Sequence, residues 1–232
     1  MADPLETYTH IPLHLDPTTK QISALSASSL DQAALTAISN LNTLHTSLKT
    51  LETPSQIPPP PVPVNPKRSA QISKLKDAAS AAHRKGNYVE AVRLWGYAID
   101  MASGRPGWEP VGLVREELSV LFLGRGESHA GNRAWVEGWK DAERSVECKA
   151  GPAAGPQGQK GPGNVKAWVL GARCLGEMGR WGEGLGWCEK AVEVEGVSVG
   201  GVAGAGQGED AKELLRLLGQ ARKEGERGGV RS

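Results

Sequence analysis

The sequence predicts a mainly α protein: a superhelix of three stacked helix–turn–helix repeats with a C-terminal capping helix, preceded by a small N-terminal α+β unit. Three observations carry this reading. A pattern recurs in GNYVEAVRLWGYAIDMA from Gly86, NRAWVEGWKDAERSVECKAG from Asn132 and GRWGEGLGWCEKAVEVEG from Gly179. Composition changes along the chain, since none of the 30 glycines precedes Gly86 and all seven tryptophans lie from Trp95 onward. Between the two regimes runs IPPPPVPVNP, a stiff polyproline II spacer. The expected organisation is an N-terminal docking unit over 1–56, a proline-rich linker over 57–66 and the repeat domain over 67–232.

The recurring segments share an aromatic (Tyr88, Trp135, Trp181), then a small residue three positions later (Ala91, Gly138, Gly184). A core position follows after four (Trp95, Ala142, Cys188) and a further small residue after three (Ala98, Ser145, Ala191). Steps of three and four place the set on one helix face, and small residues let helices approach closely. Ahead of each segment lies another helical stretch, expected over Ile72–Lys85, Ser119–Ala130 and Val165–Met178. Gly86 and Gly179 are placed to end the first and third of these as left-handed caps. The repeat starts at Ile72, Ser119 and Val165 leave room for Gly/Pro-rich inserts at Ser103–Arg115 and Gly151–Gly163. A stack needs its open end covered. The segment Glu209–Glu224 supplies the cover, with Leu214, Leu215, Leu217 and Leu218 on the apolar side and Lys212, Arg216, Arg222 and Lys223 toward water, behind a Gly-rich tether at 200–208.

In the N-terminal unit, Ile11, Leu13 and Leu15 precede Asp16-Pro17-Thr18-Thr19, and Ile22 follows. This alternation predicts a hairpin whose first strand Pro12 confines to an edge. Ser29-Leu30-Asp31-Gln32 reads as a capping box for a helix carrying Leu35, Ile38, Leu41, Leu44, Leu48 and Leu51 on one face. One hairpin and one helix bury too little surface to stand alone, so this unit packs on the repeats or is covered by a partner.

Charge and composition exclude several functions. The net charge of +1 argues against bulk nucleic-acid binding. No apolar run reaches the length of a membrane span, so no direct membrane insertion is expected. Cys148, Cys174 and Cys188 lack paired spacing and read as small apolar core residues. GAGQG at 204–208 has no following lysine and serine and no preceding strand, so it is no phosphate loop. His10 and His14 have no ligand set beside them. No cofactor, metal or catalytic constellation is expected, and the chain reads as a non-enzyme.

The repeats resemble the tetratricopeptide (TPR) family, whose 34-residue helix–turn–helix unit they match over about 160 residues. That resemblance implies a concave groove lined by the first helix of each repeat. The carboxylate-clamp type within the family grips the Glu-Glu-Val-Asp chain end of cytosolic chaperones with lysines, asparagines and an arginine. Lys76 and Lys166 fall where that type places its lysines. Ser80 and Gly124 stand where its asparagines would be, and Leu170 replaces its arginine. Arg173, seven residues beyond Lys166, is a candidate substitute, His83 is expected to line the groove, and Arg125 is expected to be structural. The resemblance thus marks Lys76, Ser80, His83, Lys166 and Arg173 as candidate peptide-binding residues.

The whole-chain layout, with LHLDPTTKQIS near its start, also resembles the peripheral TPR subunits of fungal endoplasmic reticulum (ER) translocation complexes. This likeness implies an adaptor on the cytosolic face of the ER membrane, or in the cytoplasm. It would dock the C-terminal tail of DnaK-type heat-shock chaperones, with a membrane-anchored translocon subunit covering the N-terminal unit. A free cytosolic co-chaperone or scaffold reading a different peptide is the alternative.

Overall fold

A computed structural model of the chain describes residues 11–25, 30–49, 64–149, 164–195 and 209–229. It divides into two units, Met1–Asn65 with Pro106–Trp108, and Pro66–Arg105 with Glu109–Ser232. The proline-rich stretch over 57–63, the second Gly/Pro-rich insert and the 200–208 tether lie outside the described residues.

The first unit pairs β1 (Leu13–Leu15) with β2 (Ile22–Ala24) in antiparallel register, Leu13 opposite Ala24 and Leu15 opposite Ile22. Asp16 makes the turn. Its Oδ1 accepts from the amides of Thr18 at 2.7 Å and Thr19 at 2.9 Å, and those bonds hold its carboxyl below the usual aspartate range. Helix α1 (Gln32–Lys49) starts at an Asp31 side chain that accepts from the Ala34 amide at 2.8 Å. The observed cap is therefore Asp31, whose shorter offset to the third helical amide suits an aspartate; Ser29 and Leu51 lie outside the described residues. Asn42 on α1 both accepts from and donates to the backbone of Ile22, each at 2.8 Å. None of this unit's described residues is buried.

The second unit is the repeat array. Its helices are α2 (Pro66–Arg84), α3 (Tyr88–Ser103), α4 (Val111–Gly131), α5 (Trp135–Lys149), α6 (Val165–Glu177), α7 (Trp181–Glu195) and α8 (Glu209–Gly229). Each helix packs on the next in sequence, and α2, α4, α6 and α8 also adjoin one another in order. That nearest-neighbour pattern is the signature of stacked helix pairs. The core accordingly runs as successive clusters. Ile72, Trp95, Ile99 and Leu121 fill the first, Ala142, Leu170 and Cys174 the middle, and Trp168, Cys188, Leu214 and Leu218 the last. All nine small and core positions of the recurring pattern, from Ala91 to Ala191, are buried. Cys174 and Cys188 are among these core residues, and burial pushes both thiols up to about 11.

The three helix pairs turn the same corner. Gly86, Arg133 and Gly179 have φ of 77°, 58° and 71°. At each, the amide one residue further on closes a six-residue ring to the first helix: Asn87 to Ala82 O, Ala134 to His129 O and Arg180 to Leu175 O, at 3.0, 2.9 and 2.9 Å. This is a Schellman closure repeated three times. Glycine adopts the corner without steric conflict in two repeats, while in the second an arginine takes it.

Two boundaries differ from the sequence expectation. Helix α2 begins at Pro66, where the missing N–H of proline costs nothing in a first helical turn. Helix α4 begins at Val111, so the first Gly/Pro-rich insert is shorter than 103–115. Arg105 is the reason. Its side chain is 5% exposed and bonds Glu109 at 2.5 Å, Glu117 at 2.8 Å and Ser69 Oγ at 3.2 Å, fastening the connection to both α2 and α4. Arg125, expected to be structural, makes a two-pronged ion pair with buried Asp141 at 2.7 and 2.8 Å, tying α4 to α5. The capping helix buries Leu214, Leu217 and Leu218 as expected. Arg216 faces water as expected, its side chain 58% exposed, and it also borders a hollow.

The second corner yields a prediction. A side chain in the left-handed region costs about 1 kcal/mol relative to glycine. Arg133→Gly should therefore stabilise the chain by about that amount, read as a higher midpoint in chemical or thermal unfolding.

Candidate functional site

The first helices of the repeats and the capping helix enclose a hollow of about 770 Å³. Helix α2 contributes His83, α4 contributes Glu127 and Ala130, α6 contributes Leu170, Arg173 and Glu177, and α8 contributes Arg216 and Gln220. The recurring aromatics Tyr88, Trp135 and Trp181 stand at the helix corners and line it as well. One aromatic per repeat thus borders the hollow, because each corner presents the same first residue of its second helix to the same side.

His83 is fixed in orientation. Its Nδ1 lies 3.0 Å from Ser128 Oγ, and that hydroxyl donates its proton to Gly124 O at 2.8 Å. Nδ1–H is therefore the donor to Ser128. The ring also packs edge-on against Tyr88, with centroids 5.3 Å apart. Glu127 lines the same hollow. Desolvation in the hollow pushes its carboxyl up, while His83, Lys166 and Arg173 draw it down and Asp210 adds to the upward push. His83 and Arg173 line the same hollow as Glu127, and Lys166 is near enough for its charge to be felt there.

Of the residues singled out in the sequence, His83 and Arg173 line the hollow and Lys166 lies close enough to act on Glu127. Lys76 and Ser80 sit earlier on α2, half-buried, and are not among the lining residues. Lys76 is seven residues before His83, hence on nearly the same helix face. Among the described residues, neither Lys76 nor Lys166 is engaged in an ion pair. Arg173 is engaged: its Nη2 bonds Glu213 of α8 at 3.0 Å.

Packing explains why the positions expected to hold an asparagine and an arginine do not. A Cβ at Gly124 would lie 2.5 Å from the Trp95 ring, so the indole of the preceding repeat occupies the space of any side chain there. Leu170 is 8% exposed and its Cδ2 would meet a Cβ on Gly126 at 2.9 Å, making it a core filler. Sequence reasoning missed Glu127, Arg216 and Gln220. Arg216 was legible in principle, since it follows Glu213 by one turn on the flank of the helix's leucine face.

This architecture is a TPR array, with a hollow lined by histidine, arginine and glutamate. No family model matches the chain. Over 105 residues it is 35% identical to the ER protein translocation subcomplex subunit sec67 of Schizosaccharomyces pombe, a stretch covering 44% of this chain and 55% of that protein. The chain thus spans about half the length of the curated relative it matches. Among solved structures, a chain of the Sec complex from S. cerevisiae superposes with a TM-score of 0.57 at 20% identity, covering 91% of this chain and 96% of that one. The C-terminal TPR-containing domain of an FK506-binding protein from Plasmodium falciparum gives 0.50 at 13% identity, over 69% and 93% of the two chains. The chain has a TPR-type fold and is similar, over part of its length, to a subunit of an ER translocation subcomplex. No helix among the described residues is long and apolar enough to cross a membrane.

The Trp95–Gly124 contact makes a sharp prediction. Gly124→Asn, which would restore an amide to the concave face, should instead destabilise the chain by about 1–3 kcal/mol through overpacking, lowering the thermal midpoint without tightening peptide binding.

Proposed function

We propose that this chain is a non-catalytic adaptor of the ER post-translational translocation machinery, docking DnaK-type chaperones through their acidic C-terminal tail. The observation that supports the reading most is the presence of His83 and Arg173 on one hollow, with Lys166 near enough to act on Glu127 within it. Negative chain ends are attracted there, and a terminal carboxylate can accept charge-assisted hydrogen bonds from ammonium and guanidinium groups. The hollow's aromatic edges suit the apolar side chain that precedes the terminal acid in Glu-Glu-Val-Asp. Likeness to the S. pombe translocation subunit and to a chain of the S. cerevisiae Sec complex supports the ER assignment.

The N-terminal unit fits a docking role toward a membrane-anchored translocon subunit. Leu13, Leu15, Leu25 and Leu41 are 48%, 55%, 66% and 49% exposed. A groove of about 730 Å³ opens between β2 and α1, lined by Ile22, Leu35 and Ile38 among others. Apolar exposure of this kind marks an interaction surface. With the tail held on one unit and the membrane partner on the other, the chain would sit at the cytosolic face of the ER without entering the bilayer.

A labelled peptide ending in Glu-Glu-Val-Asp tests the reading. It should bind the full chain at about micromolar affinity, near −8 kcal/mol. Amidating the terminal carboxylate removes charge-assisted bonds worth about 1.5–3 kcal/mol, so affinity should fall about tenfold or more, and Lys166→Glu should act similarly without lowering the thermal midpoint. Equal affinity for the free and amidated peptides would overturn the chain-end reading and favour a scaffold that reads a different peptide.

A further inference from the structure

The arginine that a chain-end site requires is absent from its expected position, where Leu170 is packed into the core. The hollow nevertheless holds two guanidiniums on facing helices, Arg173 of α6 and Arg216 of α8. They share one carboxylate. Glu213 Oε1 accepts from Arg173 Nη2 at 3.0 Å and from Arg216 Nη2 at 2.9 Å, and Glu213 Oε2 accepts from Arg216 Nε at 2.7 Å. Arg216 Nη1 makes a longer bond to Gln220 at 3.3 Å.

Two features separate this trio from an ordinary surface ion pair. First, the charges within the trio do not balance, since two cations share one anion; the carboxylates Glu127 and Glu177 line the same hollow, so the excess belongs to the trio and not to the hollow as a whole. Second, donors remain. A guanidinium has five N–H groups, and Arg173 Nη1 has no hydrogen bond among the described residues. Both arginine side chains are 58% exposed, so an incoming carboxylate can reach them. Glu213, only 22% exposed, sits behind them and sets their spacing.

We propose that the capping helix completes the peptide site: Arg216, together with Arg173, receives a carboxylate of an acidic peptide, and Glu213 is an internal carboxylate that holds the two guanidiniums apart and yields donors to the ligand. The inference rests on the peptide-binding reading of the hollow. It makes α8 part of the recognition surface as well as the lid on the hydrophobic stack. Glu213 then limits affinity, because each donor it engages is one the peptide must share.

The experiment uses the full chain and a fluorescein-labelled peptide ending in Glu-Glu-Val-Asp with a free carboxylate, read by anisotropy, with each variant's thermal midpoint measured alongside. Arg216→Gln should weaken binding about tenfold, and Arg216→Lys, which keeps the charge and loses the fork, should fall between. Glu213→Gln should bind as well as the wild type or severalfold tighter. Arg222→Gln, which removes a pair with Glu189 on α7, should leave binding unchanged. If Arg216→Gln binds like the wild type while Lys166→Glu abolishes binding, the role of the capping helix is overturned and the groove reading stands. Equal weakening by Glu213→Gln and Arg216→Gln would also overturn it, reducing the trio to a structural tie. A wild-type chain that fails to bind the peptide overturns both.

Discussion

Aromatic rings pressed against glycines set the spacing of the helix pairs, and most of what the concave face can do depends on that spacing. Trp95 of α3 lies over Gly124 of α4, Tyr88 over Gly131, and Trp187 and Trp181 of α7 over Gly171 and Gly176 of α6; a Cβ at any of these glycines would approach a ring carbon to between 2.5 and 3.0 Å. Rings this large bury well over 100 Å² each, so the contact binds first and second helices strongly and at short range. The cost falls on the groove. Positions that another array uses for hydrogen-bond donors are here given to packing, at Gly124 and Leu170. Charge on the concave face must therefore come from residues one turn away or from another helix.

Much of the array was legible in the sequence because its signals are local and periodic. The aromatic–small–core–small spacing marks every second helix, Gly86 and Gly179 announce two of the three corners, and the leucines of the capping segment announce its buried side. What escaped depends on partners remote in sequence. The corner at Arg133 is hidden because glycine is absent there, and the positive φ of Arg133 with the matching hydrogen bond from Ala134 to His129 reveals it. Helix α4 extends back to Val111 because Arg105 reaches both Glu117 and Ser69, contacts that no propensity encodes. The pairing of Arg173 with Glu213 spans 40 residues, and a helical wheel of α8 alone shows Arg216 as solvated. The site residues fared accordingly. His83 and Arg173 were placed by helical spacing, whereas Lys76 and Ser80 share that spacing without lining the hollow.

Electrostatics inside the hollow are mixed in sign, and this shapes specificity. His83, Lys166 and Arg173 act on Glu127 with one sign and Asp210 of the capping helix with the other. On the far side Arg216 and Arg173 hold Glu213 so firmly that its carboxyl is drawn down to about 2, so it stays ionised throughout the neutral range. A carboxylate brought to the Arg173–Arg216 pair would meet cations, while one brought beside Glu127 or Glu177 would meet like charge. The N-terminal unit contributes no charge to this hollow and instead exposes leucines at Leu13, Leu15, Leu25 and Leu41.

Hydrogen exchange along the full chain, with and without the saturating tail peptide, tests the central claim most directly. If the ligand lies in the concave hollow, slowed exchange should appear on α6 and on the 209–220 stretch of α8, with a smaller effect near His83. Protection confined to α3, α5 and α7, with none on α6 or α8, would place the ligand on the opposite surface and contradict the account.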